Sequence, residues 1–298
     1  MTISRKMENT GNKQTSLKTF NLYKYLKEQN SHSMSFPYFL ATQDTYKEAT
    51  VRFPFRTFTY GIGITYSGET NLFKIGSADF EVKEGSLTTI GPGIVSQWMG
   101  NYVGDHDTIY FTEDLFNDIL NVNFLNSLPF FLPGGNHVIQ LQQPETEKIK
   151  LLFNLLKAFK EDKKLMPGLS HSLLTLVSDL HNFSNNETQA HTNSKETVVG
   201  KFRGLVAKHF PEQKDVSFYA SALNISPKYL SEILMEISGK SAKMLIDEHI
   251  AMEAKSLLRQ TTMTVQEICY WLGYDDASYF TKVFKKWEGM LPLAYRKL

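Results

Sequence analysis

The sequence predicts a multidomain α+β protein, in which an antiparallel β barrel with a helical pair precedes an all-helical domain. Three observations lead to this prediction. Residues 58–66 alternate between large apolar and small or polar side chains, which is typical of a half-buried strand. From about residue 145 the apolar residues recur at helical spacing instead. A polar segment without periodicity, 184–196, then separates this region from a helical C-terminal part.

Composition and charge set limits on the function. The chain has 298 residues, 42% of them hydrophobic, which suffices for two cores. Its formal net charge is +1, and residues 197–298 hold 14 lysines and arginines against 11 aspartates and glutamates. This mild bias does not by itself indicate nucleic-acid binding. The single cysteine, Cys269, excludes an internal disulfide, so we expect a cytoplasmic protein. Residues 1–14 lack the apolar core of a signal peptide, and no apolar run has the roughly 20 residues of a membrane span.

The N-terminal region is predicted to consist of short strands followed by two helices. Shorter strands follow residues 58–66, with turn-like glycines between them, at 72–75, 79–82, 87–90 and 108–111. Many short strands at this spacing suggest an antiparallel barrel or a sandwich. Apolar stripes at 149–159 and 169–180 predict the helical pair. We therefore assign residues 1–183 to an N-terminal domain, 184–196 to a linker and 197–298 to a C-terminal domain.

Two segments of the C-terminal part resemble each other, 215–239 and 264–289. Each opens with a short helix that carries a small residue, and four residues later has a residue that tolerates a left-handed backbone. These positions are Ala220 and Asn224 in the first segment and Cys269 and Gly273 in the second. A capped second helix follows in each. One such pattern also occurs in ordinary helical bundles, but two at matched offsets indicate tandem helix-turn-helix units.

The stretch between the two units has a physical role of its own. Residues 241–258 read as a helix of about 27 Å, at 1.5 Å per residue. Adjacent major-groove segments on one face of DNA lie about 34 Å apart. A rigid helix of this length could hold two recognition helices about one turn of DNA apart, which predicts double-stranded DNA as the partner.

Several short stretches of this part resemble a known family. They are SPKYLSE at 226–232, GKSA at 239–242, EAKSLL at 253–258, QEICYWLGY at 266–274, SYF at 278–280 and FKKWEGMLP at 284–292. Together they resemble the DNA-binding domain of the AraC/XylS regulators over about 216–296. The N-terminal part is weakly similar to the cupin-like sensing and dimerising half of that family. The resemblance implies a sequence-specific transcription regulator, an activator that contacts RNA polymerase, responds to a small effector and forms a homodimer.

The resemblance also implies which residues face DNA. The two recognition helices fall on 228–237 and 277–287. Their outward positions are Lys228, Ser231, Glu232 and Met235 in the first, and Ala277, Ser278, Thr281, Lys282, Lys285 and Lys286 in the second. Where Glu232 and Met235 stand, and also at Ile250, family members often carry basic residues. In the first unit only Lys228 and Lys240 then remain to meet phosphate, so we expect the second unit to supply more of the electrostatic affinity.

A metal-dependent cupin enzyme with an accessory helical domain is the alternative function. Such a site needs about three histidine or carboxylate ligands inside the barrel. The stretch 85–98 resembles the cupin segment that ends in a ligand histidine, but Val95, Ser96 and Gln97 stand there. No His-x-His occurs, and His106 and His137 are the only histidines in 51–143. We therefore expect no enzyme, no metal and no cofactor.

The remaining expectations concern the effector and the dimer. Tyr60 and Trp98 are candidates to line an effector site, although each also suits a plain apolar core. No ligand class follows from them, and a barrel that only dimerises is a further alternative. The stripe 169–180 could pack on the barrel or pair with the same helix of a second chain, and the resemblance favours pairing.

Overall fold

The computed structural model describes residues 37–42, 45, 53–57, 59–100, 104–117, 124–191 and 194–298. Residues 1–14 and Phe58, on which two of the expectations above depend, lie outside the described residues. In the described part the strands are β1 (Tyr38–Thr42), β2 (Phe55–Arg56), β3 (Tyr60–Thr65), β4 (Asn71–Ile75), β5 (Ala78–Val82), β6 (Ser86–Ile90), β7 (Val95–Trp98), β8 (His106–Phe111) and β9 (Val138–Gln140). Short 3-10 helices follow β8 at Glu113–Phe116, Leu125–Ser127 and Pro129–Phe131.

The strands form two antiparallel sheets. One sheet has the order β1-β8-β3-β6-β9 and the other the order β2-β7-β4-β5. In the first sheet the central strand β3 pairs with β8, so that Ile62 lies opposite Ile109. Both side chains are fully buried, because this face of the sheet packs against helices that follow it in the chain. The antiparallel arrangement predicted from the alternating pattern is confirmed.

The predicted closed barrel is not seen, because no ladder joins the two sheets in the described part of the chain. The edge strands β5 and β9 lie beside each other, but side chains fill the space between them. The ring of Phe80 packs edge-on against the ring of His137, with centroids 5.9 Å apart. A separate small core made of Phe73, Ile75, Val82, Ile90 and Ile94 connects the two sheets. The N-terminal part is therefore two packed sheets with open edges.

The helices follow the sheets in chain order. They are α1 (Gln143–Ala158), α2 (Leu165–His191), α3 (Ser194–His209), α4 (Val216–Ala222), α5 (Pro227–Ser238), α6 (Ala242–Gln260), α7 (Val265–Trp271), α8 (Ala277–Glu288) and α9 (Pro292–Arg296). None of the helices in the described ranges combines the length and the apolar character that crossing a membrane requires.

Helices α1 and α2 are the predicted helical pair, and they cover the first sheet. Ile149 and Phe153 of α1 and Leu173 and Val177 of α2 are fully buried in one core with the strands. At its centre the stripe of α2 thus packs on the sheets, which is one of the two alternatives, and pairing of its half-buried residues Leu169, Leu176 and Leu180 with a second chain stays a prediction. Leu173, at its centre, already has its partners within one chain and has no surface left for another.

The segment predicted as a linker is helical on both sides of residues 192–193. Helix α2 continues to His191, and α3 begins at Ser194. The apolar side of α3, with Val199, Phe202 and Val206, packs into the core of the C-terminal helices. The division at 184–196 stays a prediction, and the side-chain packing of α3 agrees with a C-terminal unit that starts near 197.

Candidate nucleic-acid interface

Two helix-turn-helix units are present, α4–α5 and α7–α8, and their turns have the same geometry. Asn224 has φ 56° and Gly273 has φ 72°, both in the left-handed region. After each, a backbone N–H donates back to the first helix: Ile225 to the carbonyl of Ala220 and Tyr274 to that of Cys269, both at 3.0 Å. Ala220 and Cys269 are fully buried where the helices cross. The tandem units predicted from the repeat are confirmed.

The second turn needs glycine for an additional reason. A Cβ atom on Gly273 would lie 1.6 Å from the carbonyl oxygen of Pro211, which no side chain can accept. Lys214 strengthens the contact, because its Nζ donates to the carbonyl of Gly273 at 2.6 Å and to that of Pro211 at 3.1 Å. The turn of the second unit is thus packed against the segment that leads into the first unit.

Capping residues determine where the recognition helices begin and end. Ser226 accepts from the backbone N–H of Tyr229 at the start of α5, and Asp276 caps α8 in the same way. Both helices end at a left-handed glycine, Gly239 (φ 66°) and Gly289 (φ 72°). The capped second helix predicted for each unit is therefore present.

The two recognition helices present polar faces to solvent. The inward residues Leu230, Ile233, Leu234, Phe280 and Phe284 are buried, whereas Val283 is half-buried. The predicted DNA-facing residues lie on the other side. Seven of them are exposed: Lys228, Glu232, Met235, Ser278, Lys282, Lys285 and Lys286. The other three are half-buried: Ser231, Ala277 and Thr281.

The charges on the two faces differ. On α5, Lys228 and Glu232 are one helical turn apart and their charged groups approach to 4.0 Å, with side chains 87% and 60% exposed. A carboxylate thus partly offsets the one lysine of that face. On α8, Lys282, Lys285 and Lys286 are exposed within about one turn. The second unit therefore has the larger local excess of positive charge, and its larger share of the electrostatic affinity stays a prediction.

Lys240, the other lysine expected to meet phosphate beside α5, faces the sheets instead. Its Nζ lies 3.2 Å from Asp79 of β5 and 3.0 Å from Glu248 of α6. Burial lowers the pKa of Lys240, but the bonds to Glu248 and Asp79 outweigh this and raise it overall. With two carboxylates bound, this lysine is not available to DNA in this arrangement of the chain.

Two aromatic residues of these faces were not singled out from the sequence. Tyr229 of α5 and Tyr279 of α8 occupy matched positions, three residues after their N-caps, and are 42% and 58% exposed. Their equal offsets from Ser226 and Asp276 are a signal in the sequence that could have identified them. A tyrosine hydroxyl at such a place can donate to a phosphate oxygen.

The two halves of the molecule meet at helix α6. Arg56 of β2 forms an ion pair with Glu253 of α6, and its guanidinium lies over the ring of Trp271, 5.9 Å from the centroid. Burial raises the pKa of Glu253, and the charge of Arg56 opposes that rise. His249, one turn before Glu253, packs beside the β4–β5 turn at Gly76. The helix that joins the two helix-turn-helix units therefore also carries the contact with the sheets.

The two residues expected to line an effector site do not come together. Tyr60 is buried in the core on the helical side of the first sheet, where it stacks on Phe111 and donates its hydroxyl to Glu113 at 2.9 Å. Trp98 belongs to the second sheet and stacks on Phe73, with centroids 4.2 Å apart. Their role in binding an effector stays a prediction.

The histidines of the sheets are buried and do not cluster. His106 binds the carbonyl of Gly104 at 3.0 Å through Nδ1, and His137 binds that of Thr89 at 3.1 Å. Burial lowers the pKa of His137 to about 4 and lowers that of His106 as well. In the described ranges no group of three or more histidine, cysteine, aspartate or glutamate side chains could hold a metal ion.

Comparison with known proteins agrees with this geometry. Residues 219–298 match the family HTH_18, described as a helix-turn-helix domain. The chain is 32% identical over 92 residues to the arabinose operon regulatory protein of Salmonella typhimurium. The C-terminal part of the chain is an AraC-type helix-turn-helix domain.

Other relatives of the AraC-type domain are also regulators. The chain is 28% identical over 106 residues to the uncharacterized HTH-type transcriptional regulator YisR of Bacillus subtilis. That alignment covers 36% of this chain and 37% of YisR, and the alignment with the arabinose regulator covers 31% of each protein. Among solved structures, the C-terminal domain of AraT, a response regulator from Geobacillus stearothermophilus, is 35% identical with a TM-score of 0.32, over 34% of this chain and 84% of that chain. This chain thus spans about a third of the length of YisR and of the arabinose operon regulatory protein.

Proposed function

We propose that this chain is a sequence-specific transcription regulator that binds double-stranded promoter DNA through helices α5 and α8. The observation that carries the proposal is the pair of matched turns at Asn224 and Gly273, each followed by a capped helix with an exposed polar face. The AraC-type domain at 219–298 and its regulator relatives support it.

The proposal assigns roles to individual side chains. Lys282, midway along α8, reads a base edge, whereas Lys285 and Lys286, further along, neutralise phosphates. On α5, Glu232 accepts a hydrogen bond from a cytosine amino group and repels DNA that lacks one. Ser231, Ala277, Ser278 and Thr281 provide the small polar and methyl contacts that let the helices approach the bases.

Helix α6 sets the spacing of the two reading units. Its 19 residues, Ala242–Gln260, give a rod of about 28 Å. The two recognition helices then fall in successive major-groove segments of the same DNA face, about 34 Å apart. The operator should consist of two short half-sites whose centres are about 10 base pairs apart.

We further propose that the sheets and helices α1 and α2 form the sensing half. In this proposal a small effector changes the contact between the sheets and α6, and the chain acts in the cytoplasm as a homodimer that activates transcription together with RNA polymerase. The cupin-like resemblance and the open two-sheet architecture support the sensing role. Because Leu173 is internal, a dimer would use another surface than the centre of the α2 stripe.

A catalytic function has less support. The positions at which a cupin enzyme would hold its metal carry Val95, Ser96 and Gln97, and the first two are buried within a strand. The relatives named above are transcriptional regulators. We therefore propose that the N-terminal half acts through binding and not through catalysis.

Selection of binding sites in vitro tests the proposed function. The purified full chain would be incubated with randomised duplexes, and bound duplexes would be amplified over several rounds. We expect enrichment of sequences with two half-sites about 10 base pairs apart. A population that stays random after selection would contradict the proposal. Enrichment of a single half-site only would contradict the assignment of both helices to DNA.

A further inference from the structure

A cavity of about 280 Å³ lies where the two halves of the molecule meet. The sheets contribute the β4–β5 turn at Gly76 and the segment before β7 with Ile94. The C-terminal helices contribute α3, α6 and α7. Ile75, Ile94, Phe210 and Trp271 give the cavity an apolar wall. Neither half alone forms the site.

Polar groups without hydrogen-bond partners line the same cavity. Nε of Arg203 and Nε2 of His249 are both inaccessible to solvent, and neither has a hydrogen-bond partner among the described residues. The nearest carboxylate oxygen to the His249 nitrogen, on Glu253, is 3.8 Å away, too far for a hydrogen bond. A buried polar group that lacks a partner costs free energy, so the wall of the cavity at Arg203 and His249 is unfavourable as it stands.

The charges around the cavity are unbalanced. Arg56, Arg203 and Lys208 line it, together with the single carboxylate of Glu253. That carboxylate is engaged by Arg56. Arg203 interacts only at longer range with Asp79 and Glu248, and its partial burial lowers its pKa. The guanidinium nevertheless stays charged at neutral pH. A site with surplus positive charge favours an anion.

From these observations we infer that the cavity binds a small organic acid. Its carboxylate or phosphate group would contact Arg203 and His249, and its apolar body would lie against Ile94 and Trp271. Cationic side chains beside an apolar wall suit a ligand that has one anionic group and an apolar body.

The size of the cavity limits the ligand. A volume of about 280 Å³ lies near the lower end of the range for small-molecule sites, roughly 300–1,000 Å³. We therefore expect a ligand with one aromatic ring or a short aliphatic chain and a single anionic group. Benzoate and phenyl phosphate are therefore suitable probes, because they share the ring and differ in the head.

Occupancy would connect the two halves of the molecule. The acid would contact Ile94 on the sheet side and Arg203 and His249 on the helical side at once. Any effect of this on DNA binding rests on the proposed function. The binding of the acid itself does not rest on the proposed function, so the inference and the proposed function can fail independently.

Isothermal titration calorimetry on the full chain tests the inference without DNA. The probes are benzoate, phenyl phosphate and inorganic phosphate, with benzamide as the neutral match for benzoate. We expect saturable binding of benzoate, of phenyl phosphate or of both, and at least tenfold weaker binding of benzamide. Comparison of the two acids shows which head the site takes.

Variants of helix α3 provide the matched controls. Arg203→Gln should weaken binding of the acid at least about tenfold, since a charge-assisted hydrogen bond is lost. Lys201→Gln, on the exposed side of the same helix, should leave it unchanged. Arg203→Lys should retain part of the affinity. If Arg203→Gln does not fold, Lys208→Gln replaces it and should also weaken binding.

Three results would overturn the inference. The first is that neither acid shows saturable binding at millimolar concentration. The second is that benzamide binds as tightly as benzoate, because the cations would then have no role. The third is equal affinity of the Arg203 and Lys201 variants. Failure of the chain to bind DNA would overturn the proposed function and leave this result untouched.

Discussion

Arg56 of strand β2 and Glu253 of helix α6 form an ion pair across 197 positions of the chain. The arginine side chain is 19% exposed and the glutamate side chain 5%. A carboxylate buried to this degree is tolerated only with a cation beside it. The pair therefore holds strand β2 against α6, the helix that separates the two helix-turn-helix units.

Removing the arginine should destabilise the chain, and increasingly so as the pH rises. In Arg56→Met, Glu253 loses the charge that opposes the rise of its pKa by burial. A carboxyl group whose pKa is higher in the folded than in the unfolded state costs stability as the pH rises above about 4.5. We expect a loss on the order of 3 kcal/mol at pH 8 and a smaller loss at pH 5, measured by urea unfolding.

The control is Lys83→Met, which removes a cation from the exposed turn between β5 and β6. It should change the free energy of unfolding by less than about 0.5 kcal/mol at either pH. An equal loss for Arg56→Met at pH 5 and pH 8 would contradict the assigned role of Glu253.

His249 should make the stability of the chain sensitive to acid. Burial and, to a smaller extent, the nearby charge of Arg56 lower its pKa to about 4, while Glu253 lies 3.8 Å from its Nε2. At neutral pH it is therefore a neutral ring and not the cation of an ion pair. Because the unfolded chain takes up this proton near pH 6.5, stability should fall between pH 6.5 and pH 4.

The measurement is the melting temperature of the full chain between pH 7.5 and 5. The His249→Gln variant should show a shallower decrease than the parent. His137 and His181, whose pKa values burial also lowers to about 4, contribute equally in both proteins. Parallel curves for parent and variant would show that His249 does not take part.

Two glycines with nearly the same backbone should respond differently to alanine. Gly239 (φ 66°) has open space where a Cβ would lie, whereas at Gly273 (φ 72°) the carbonyl of Pro211 occupies that space. Gly239→Ala should cost about 1 kcal/mol, the strain of a left-handed alanine. Gly273→Ala should cost several times more, because the segment before α4 must move. Similar losses in thermal unfolding would contradict the close packing of the second turn.

The predictions made from the sequence were confirmed where they depend on interactions between residues close together in the chain. Caps such as Ser226 and Asp276 act within three residues, so a short pattern is enough to predict them. The left-handed positions at Asn224 and Gly273 are predictable for the same reason. Because these local signals recur at matched offsets, the two reading units can be recognised in the amino-acid sequence alone.

Long-range features could not be predicted in this way. Whether the sheets close depends on how Phe80 and His137 pack between two edge strands that lie far apart in the sequence. An apolar stripe such as that of α2 has the same appearance whether it faces a sheet or a second chain, so the burial of Leu173 against the sheets could not be predicted from it. The pairing of Lys240 with Asp79 joins positions 161 residues apart, and no local pattern indicates it.

Glu232 should act as a selectivity residue on the first reading helix. Its carboxylate lies beside Lys228 on an exposed face and would repel phosphate wherever no cytosine amino group meets it. Glu232→Ala should therefore bind scrambled duplexes more tightly, while discrimination at one base pair of the first half-site falls by on the order of 1–3 kcal/mol. The measurement is fluorescence anisotropy on selected and scrambled duplexes, with Glu236→Ala, also exposed on α5, as control. Unchanged affinity for scrambled DNA would remove this role.

The salt dependence of DNA binding tests the central claim most directly. Lys285 is exposed on α8. If it neutralises one phosphate, it contributes about −0.9 to the slope of the logarithm of the DNA-binding constant K against the logarithm of the salt concentration, for any duplex. Fluorescence anisotropy at several salt concentrations would compare the parent, Lys285→Ala and Lys83→Ala. We expect Lys285→Ala to bind selected and scrambled duplexes more weakly and to flatten the slope by about one unit, while Lys83→Ala matches the parent. An unchanged slope for Lys285→Ala, or the same change for Lys83→Ala, would contradict the placement of α8 in the groove.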